Sequence, residues 1–127
     1  KYLLLFEAPI DMLSFISMHK KNWQQHSYAA ACSVSDRVLF QMLKDNPNVS
    51  EVFLCMDSDE PGQAAAKRIS DKLFTQGINA RILVPKHKDW NEDRLASGGN
   101  APRQGAEFSV QTENMEEGEE PCQVLQL

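Results

Sequence analysis

Val52-Phe53-Leu54-Cys55-Met56-Asp57-Ser58-Asp59-Glu60-Pro61-Gly62 is the stretch on which the fold of this chain turns. Five apolar residues in a row are too few for a helix and suit a strand buried on both faces of a parallel sheet. Two aspartates separated by one residue follow directly. Glu60, Pro61 and Gly62 complete the connection to a helix. Ala65, Ile69 and Leu73 continue at helical spacing towards a stop near Gly77. The unit is strand, acidic turn, helix.

The same order recurs on either side. Tyr2 to Phe6 is a second buried-strand run ending at Glu7, and Pro9 opens a helical pattern of Met12, Leu13, Phe15, Ile16 and Met18 that reaches about Lys20. Ser27 to Cys32 reads as a strand, and Ser33 or Ser35 caps a helix with Val38, Leu39, Met42 and Leu43, ended by Asn46-Pro47-Asn48. Ala80 to Val84 supplies a fourth strand, Pro85 to Lys88 a basic turn, and Asn91 to Leu95 a short helix. About four strands alternating with helices predict an α/β domain whose sheet is mostly parallel, with flanking helices joined by right-handed crossovers. Ligands then belong at the carboxyl ends of the strands.

The chain has 127 residues, 42% of them hydrophobic, enough for one core and too few for two ordinary domains. Residues 1–96 hold twelve basic and twelve acidic side chains, whereas residues 97–127 set Arg103 against six glutamates and so carry the whole net charge of −5. The domain is therefore expected over 1–96. A linker around Gly98-Gly99-Asn100-Ala101-Pro102 and an acidic, disordered tail are expected over 97–127, from which Gln123 to Leu127 can dock as a short strand or helix. A neutral body lacks the broad positive field of an autonomous nucleic-acid binder. No apolar run approaches the roughly 18 residues of a membrane-spanning helix, so no membrane partner is expected. Three cysteines without a Cys-x-x-Cys pair argue against structural zinc and for a reduced, cytoplasmic setting. Lys1 stands directly before an apolar strand, which reads as a piece of a longer protein.

Glu7, Asp57, Asp59 and Asp89 all fall after strands, where the topology places function, so they are expected to converge. Several carboxylates at one rim repel one another unless a cation lies between them, and hard divalent ions take oxygen ligands. The competing reading is that acidic residues precede helices because they cap free amides and suit the dipole. It accounts for Asp59 and Glu60 better than for Glu7 and Asp57, which sit on the ends of buried strands. Lys86, His87 and Lys88 beside this rim suit phosphate contacts, as do Lys67 and Arg68 more weakly, with solvated charge as the alternative. Trp90 is expected to pack its loop onto the body. His19, His26 and His87 have no metal-ligand spacing, and the serines lack a nucleophile elbow.

Phe6-Glu7-Ala8-Pro9-Ile10-Asp11, the Asp57-Ser58-Asp59-Glu60-Pro61-Gly62 turn with Ala64-Ala65-Ala66 behind it, and Lys88-Asp89-Trp90-Asn91-Glu92 together resemble the Toprim domain of topoisomerases, bacterial primases and some nucleases, a Rossmann-like fold. The resemblance spans residues 2–95 and is closest to primase-like members. It implies a metal-dependent phosphoryl-transfer centre using Mg2+ or Mn2+. Asp57 and Asp59 would be metal ligands, Glu7 a further ligand or general acid/base, and Asp89 an assisting ligand. Asp11, four residues after the glutamate, is expected to support the rim without binding metal. The family's glutamate is usually followed by glycine, where this chain has Ala8-Pro9, a pair that restricts the turn.

The function so implied is that of a Mg2+-binding Toprim catalytic domain in a primase-like nucleic-acid-processing protein, of a mobile genetic element. It would transfer nucleotidyl groups on DNA or RNA, with nucleotides and further domains of the parent protein as partners. A Toprim nuclease and a non-catalytic metal- or nucleic-acid-binding module are the alternatives. A haloacid-dehalogenase-type phosphatase also fits Asp57-Ser58-Asp59, but that family opens with its Asp-x-Asp strand, whereas here a complete strand-helix-strand-helix precedes it. A receiver-like acidic scaffold is the remaining class.

Overall fold

The computed structural model describes residues 1–32, 35–97 and 122–126. In chain order they form β1 (Tyr2–Phe6), α1 (Pro9–Met18), a 3-10 turn (Trp23–Gln25), β2 (Ser27–Ala30), α2 (Arg37–Asp45), β3 (Glu51–Cys55), α3 (Glu60–Thr75), β4 (Ala80–Pro85), α4 (Trp90–Ala96) and β5 (Cys122–Gln126). The sheet order is β2-β1-β3-β4-β5. The first four strands are parallel, and β5 runs antiparallel to β4, with Cys122 opposite Pro85 and Gln126 opposite Arg81.

The apolar runs of β1 and β3 are explained by burial on both faces. Leu3, Leu5, Val52 and Leu54 pack with Leu39 of α2 and with Ala65, Ala66, Ile69 and Leu73 of α3. Leu4, Phe6, Phe53 and Cys55 pack on the opposite side with Phe15 of α1 and Trp90 of α4. Alternate residues of one strand thus feed two cores, which is the side-chain period of a strand at work. Leu3 to Phe6 are fully buried, each side chain contributing about 1.5–3 kcal/mol by leaving water.

Local departures from the sequence reading have physical causes. The second strand ends at Ala30, not Cys32, because Cys32 takes a left-handed backbone (φ 56) that breaks an extended ladder. The N-cap of α2 is Asp36, whose carboxylate turns to Lys72 of α3 (2.6 Å). Ser35 Oγ accepts the N–H of Arg37 (3.4 Å), and Ser33 lies outside the described residues. The fourth strand runs on to Pro85, where a missing N–H is tolerated at a strand end. The first helix stops at Met18, closed by His19 N–H bonding to the carbonyls of Phe15 and Ile16. The α3 stop is as expected, with Gly77 at φ 73. The linker and the glutamate-rich residues up to Pro121 lie outside the described residues, while the end of the chain takes the strand form as β5.

Strand order also locates the site. The chain leaves β1 towards β2 on one side, and leaves β3 towards β4 on the other. The connections diverge between adjacent central strands, which opens a crevice at their carboxyl ends. Glu7 follows β1 and Asp57 follows β3.

Candidate metal centre

Two turns and one strand end build the rim. Glu7 leaves β1 just before Ala8, the N-cap of α1, which has φ −129 and ψ 150. That extended conformation suits any L-residue before a proline, so the turn needs no glycine here. After β3, Asp59 is the N-cap of α3 and accepts the N–H of Gly62 on Oδ1 at 2.9 Å. Gly62 must be glycine for steric reasons: a Cβ there would stand 2.4 Å from the Asp57 carbonyl oxygen. Gln63 Nε2 holds that same oxygen at 2.8 Å. After β4, Asp89 is the N-cap of α4 and accepts the N–H of Glu92 at 2.8 Å. The two turns are tied together through Ser58, whose N–H donates to the Lys88 carbonyl (2.7 Å) and whose hydroxyl donates to the His87 carbonyl (2.7 Å).

Carboxylate oxygens of Glu7, Asp57 and Asp59 all lie within 4.8 Å of one another. A second group with the same spacing joins Asp57 to Asp11 and Asp89. Asp57 is therefore common to both. Asp89 lies with Asp57 and Asp11 in this second group, not in the group that holds Glu7 and Asp59. Asp11, expected only to support the rim, offers an oxygen to it while being 3% exposed. Its Oδ1 accepts the N–H of Asn91 at 3.2 Å, and Ser14 of the same helix donates to Asn91 Oδ1 at 3.2 Å. The signal for Asp11 was in the sequence, one helical turn beyond Glu7, but its proximity to Asp89 depends on α1 packing against α4, which no local spacing encodes.

Electrostatics agree with crowding. The Asp57 carboxyl is pushed up to about 7, first by desolvation, then by its hydrogen bond with Glu7 and the negative charges of Glu7, Asp89 and Asp59. Asp11 is pushed up to about 6, chiefly by burial, with Asp89 and Asp57 adding to it and the Asn91 hydrogen bond and Lys88 opposing. Asp57 Oδ1 is buried and has no hydrogen-bond partner among the described residues. An ionised oxygen in that position is costly unless a proton or a cation meets it. An all-oxygen donor set with one such orphaned atom fits a hard divalent cation of the Mg2+ or Mn2+ type.

Capping and ligation do not compete here. Asp59 and Asp89 each use one oxygen as a helix cap, and a carboxylate has a second. Lys86, His87 and Lys88 are exposed on the β4–α4 turn next to this rim. Lys67 and Arg68 are exposed on α3. Trp90 packs its loop onto the body: it is 1% exposed and its indole Nε1 donates to the Cys55 carbonyl at 3.0 Å. His19 and His26 enter neither carboxylate group. His19 packs at a tilt of 35° against Phe15 with ring centroids 4.4 Å apart and is lowered to about 4 by burial, and His26 stacks on Tyr2 at 4.9 Å.

No curated protein matches the chain. A family model described as Toprim-like matches residues 4–94.

Proposed function

The chain belongs to the Toprim-like family, and from that premise we propose that it is the metal-dependent nucleotidyl-transfer domain of a primase-like protein. Toprim domains bind divalent metal and act on nucleic acids. The observation that carries the reading for this chain is the meeting of Glu7, Asp57 and Asp59 within 4.8 Å at the crevice between β1 and β3. Glu7, Asp57 and Asp59 would hold one Mg2+ or Mn2+, with Asp89 and Asp11 completing the rim through Asp57. A bound ion of this kind polarises a phosphoryl oxygen and lowers the pKa of an attacking hydroxyl.

The chain's own residues divide the remaining work. Glu7, which shares a hydrogen bond with Asp57 in the metal-free chain, would act as the third ligand or, alternatively, off the ion as general acid/base. Lys86 and Lys88 offer cations to phosphate oxygens of DNA, RNA or a nucleotide. Gly62, Gln63 and Ser58 fix the backbone that aims Asp57 and Asp59. The even charge of residues 1–96 supports a division of labour in which other domains of the parent protein supply most substrate affinity. The same evenness favours, as the second reading, a non-catalytic metal- and nucleic-acid-binding module. The free thiols of Cys32 and Cys55 accord with a reduced, cytoplasmic compartment.

Titration with Mn2+ or Mg2+, read by calorimetry, tests the centre. Wild-type chain is expected to bind, and the Asp57→Asn, Asp59→Asn double variant to lose binding on the order of 100-fold or more, because it removes two anionic ligands. Unchanged binding by the double variant defeats the assignment. Nucleotide incorporation against strand cleavage, assayed with the parent protein, separates the primase-like reading from the nuclease reading, and neither activity with intact metal binding favours the module.

A further inference from the structure

The β4–α4 turn is held from within by two carboxylates of the helix that follows it. Asp93, with its side chain 8% exposed, accepts the backbone N–H of Lys86 on Oδ2 at 2.9 Å. Its Oδ1 takes both the backbone N–H of His87 and the imidazole Nδ1, each at 2.7 Å. Glu92 Oε2 accepts the N–H of Lys88 at 3.1 Å. The carbonyls of His87 and Lys88 are in turn bonded by the Ser58 hydroxyl, at 2.7 and 3.1 Å. The backbone donors of three successive residues are thus already satisfied, so this backbone does not cradle an anion itself. What it offers outward is three exposed basic side chains.

The use made of the two acids is informative. Acidic groups crowd this rim, yet among the described residues neither Lys86 nor Lys88 forms an ion pair. Asp93 and Glu92 fix the shape of the turn and leave the ammonium groups for another anion. Ser58 stands between Asp57 and Asp59, so its backbone N–H and hydroxyl link the turn to the metal centre directly. We infer that the β4–α4 turn is a preformed phosphate clamp, in which Lys86 and Lys88 grip the phosphate of a polynucleotide or nucleoside triphosphate and Asp93 is the positioning residue. The identity of the anion rests on the proposed function. The shape of the clamp does not.

Binding of the full 127-residue chain to a labelled single-stranded DNA, and separately to a nucleoside triphosphate, is measured in chelator across a salt series. The Lys86→Ala, Lys88→Ala double variant is expected to lose affinity on the order of ten-fold or more at low salt and to flatten the salt slope for DNA by about 1.4, or 0.7 per phosphate contact on a single strand. Asp93→Asn gives the sharper discrimination. Removing a negative charge raises polyanion affinity if only net charge matters, whereas the clamp requires a several-fold loss, because an amide has one oxygen for donors that now occupy two. Loss with DNA alone assigns the clamp to polynucleotide, and loss with the triphosphate alone assigns it to nucleotide. No binding of either probe by wild type, or unchanged binding after loss of both lysines, overturns the clamp. The lysines are exposed, so that result stands even if Asp93→Asn fails to fold. Mn2+ titration of the same proteins separates the two readings. Metal binding retained by the lysine variant with phosphate binding lost supports the clamp, and lysine-independent DNA binding with an intact metal centre removes the clamp alone.

Discussion

Burial and the carboxyls of Glu7, Asp89 and Asp59 act on Asp57 in the same direction, and each favours its protonated form. The ordinary value is 3.8, and the folded value is about 7. With Asp11 held up near 6, these two carboxyls bind more protons in the metal-free folded chain than in the unfolded chain between about pH 4 and 7, while His19, lowered to about 4, and His26, also lowered by burial, bind fewer. By the linkage between proton binding and unfolding, the carboxyl contribution to stability falls as pH rises through that window, and the histidine contribution rises. A divalent cation reverses the sign at the same residues, since it binds the ionised carboxylates and displaces the shared proton. Thermal melts in chelator are therefore compared with Asp57→Asn, which carries the same histidines: going from pH 5 to pH 8 is expected to cost the wild-type chain more in Tm than the variant, with added Mn2+ raising the wild-type Tm at pH 8. The same change in Tm between pH 5 and pH 8 in both proteins would mean that Asp57 is not crowded as described.

Elements bring these residues together, and the decisive joint is the seating of α4. Trp90 is fully buried against Phe6 and Phe15, and its indole N–H reaches the Cys55 carbonyl at the end of β3. It therefore fixes where α4 starts, and with it Asp89 and the turn tied to Ser58. Trp90→Phe keeps much of the apolar volume but leaves that carbonyl without its indole donor, costing about 1–3 kcal/mol for the buried group. Denaturant unfolding should show that loss, and Mn2+ affinity should weaken with it because Asp89 is displaced. Full stability in Trp90→Phe would argue against this seating. Elements of this kind were legible where the information is local. The apolar runs Tyr2–Phe6 and Val52–Met56, which the structure makes strands over Tyr2–Phe6 and Glu51–Cys55, and the Pro9 helix start after Glu7 are each contained in a few neighbouring residues. The partnership of Asp11 with Asn91 spans most of the domain, and Asp93 turning back onto Lys86 and His87 depends on the fold of a short loop. Neither leaves a periodic trace. The capping reading of Asp59 was also sound, and the structure adds that Asp89 caps α4 in the same way and that both capping residues stand beside Asp57.

For the whole molecule, charge is divided between a balanced body and an acidic end. Residues 97–127 carry all of the net −5. Glu119 and Glu120 lead through Pro121 into Cys122, which pairs with Pro85 at the rim end of β4, next to Lys86. A formal net charge of −5 on the chain opposes the approach of any polyanion. Glutamine at 113, 116, 117, 119 and 120 brings the formal net charge from −5 to zero without touching a described side chain. Association with single-stranded DNA at low ionic strength should then quicken on the order of ten-fold, within the range that electrostatic steering commands. The gain should fade as salt rises, because at about 0.15 M the screening length is only about 8 Å. Mn2+ affinity is expected to stay unchanged, since none of the five residues belongs to the carboxylate groups around Asp57. Stopped-flow association across a salt series decides it: equal rates for both proteins at low salt would mean that the acidic end exerts no field on the rim.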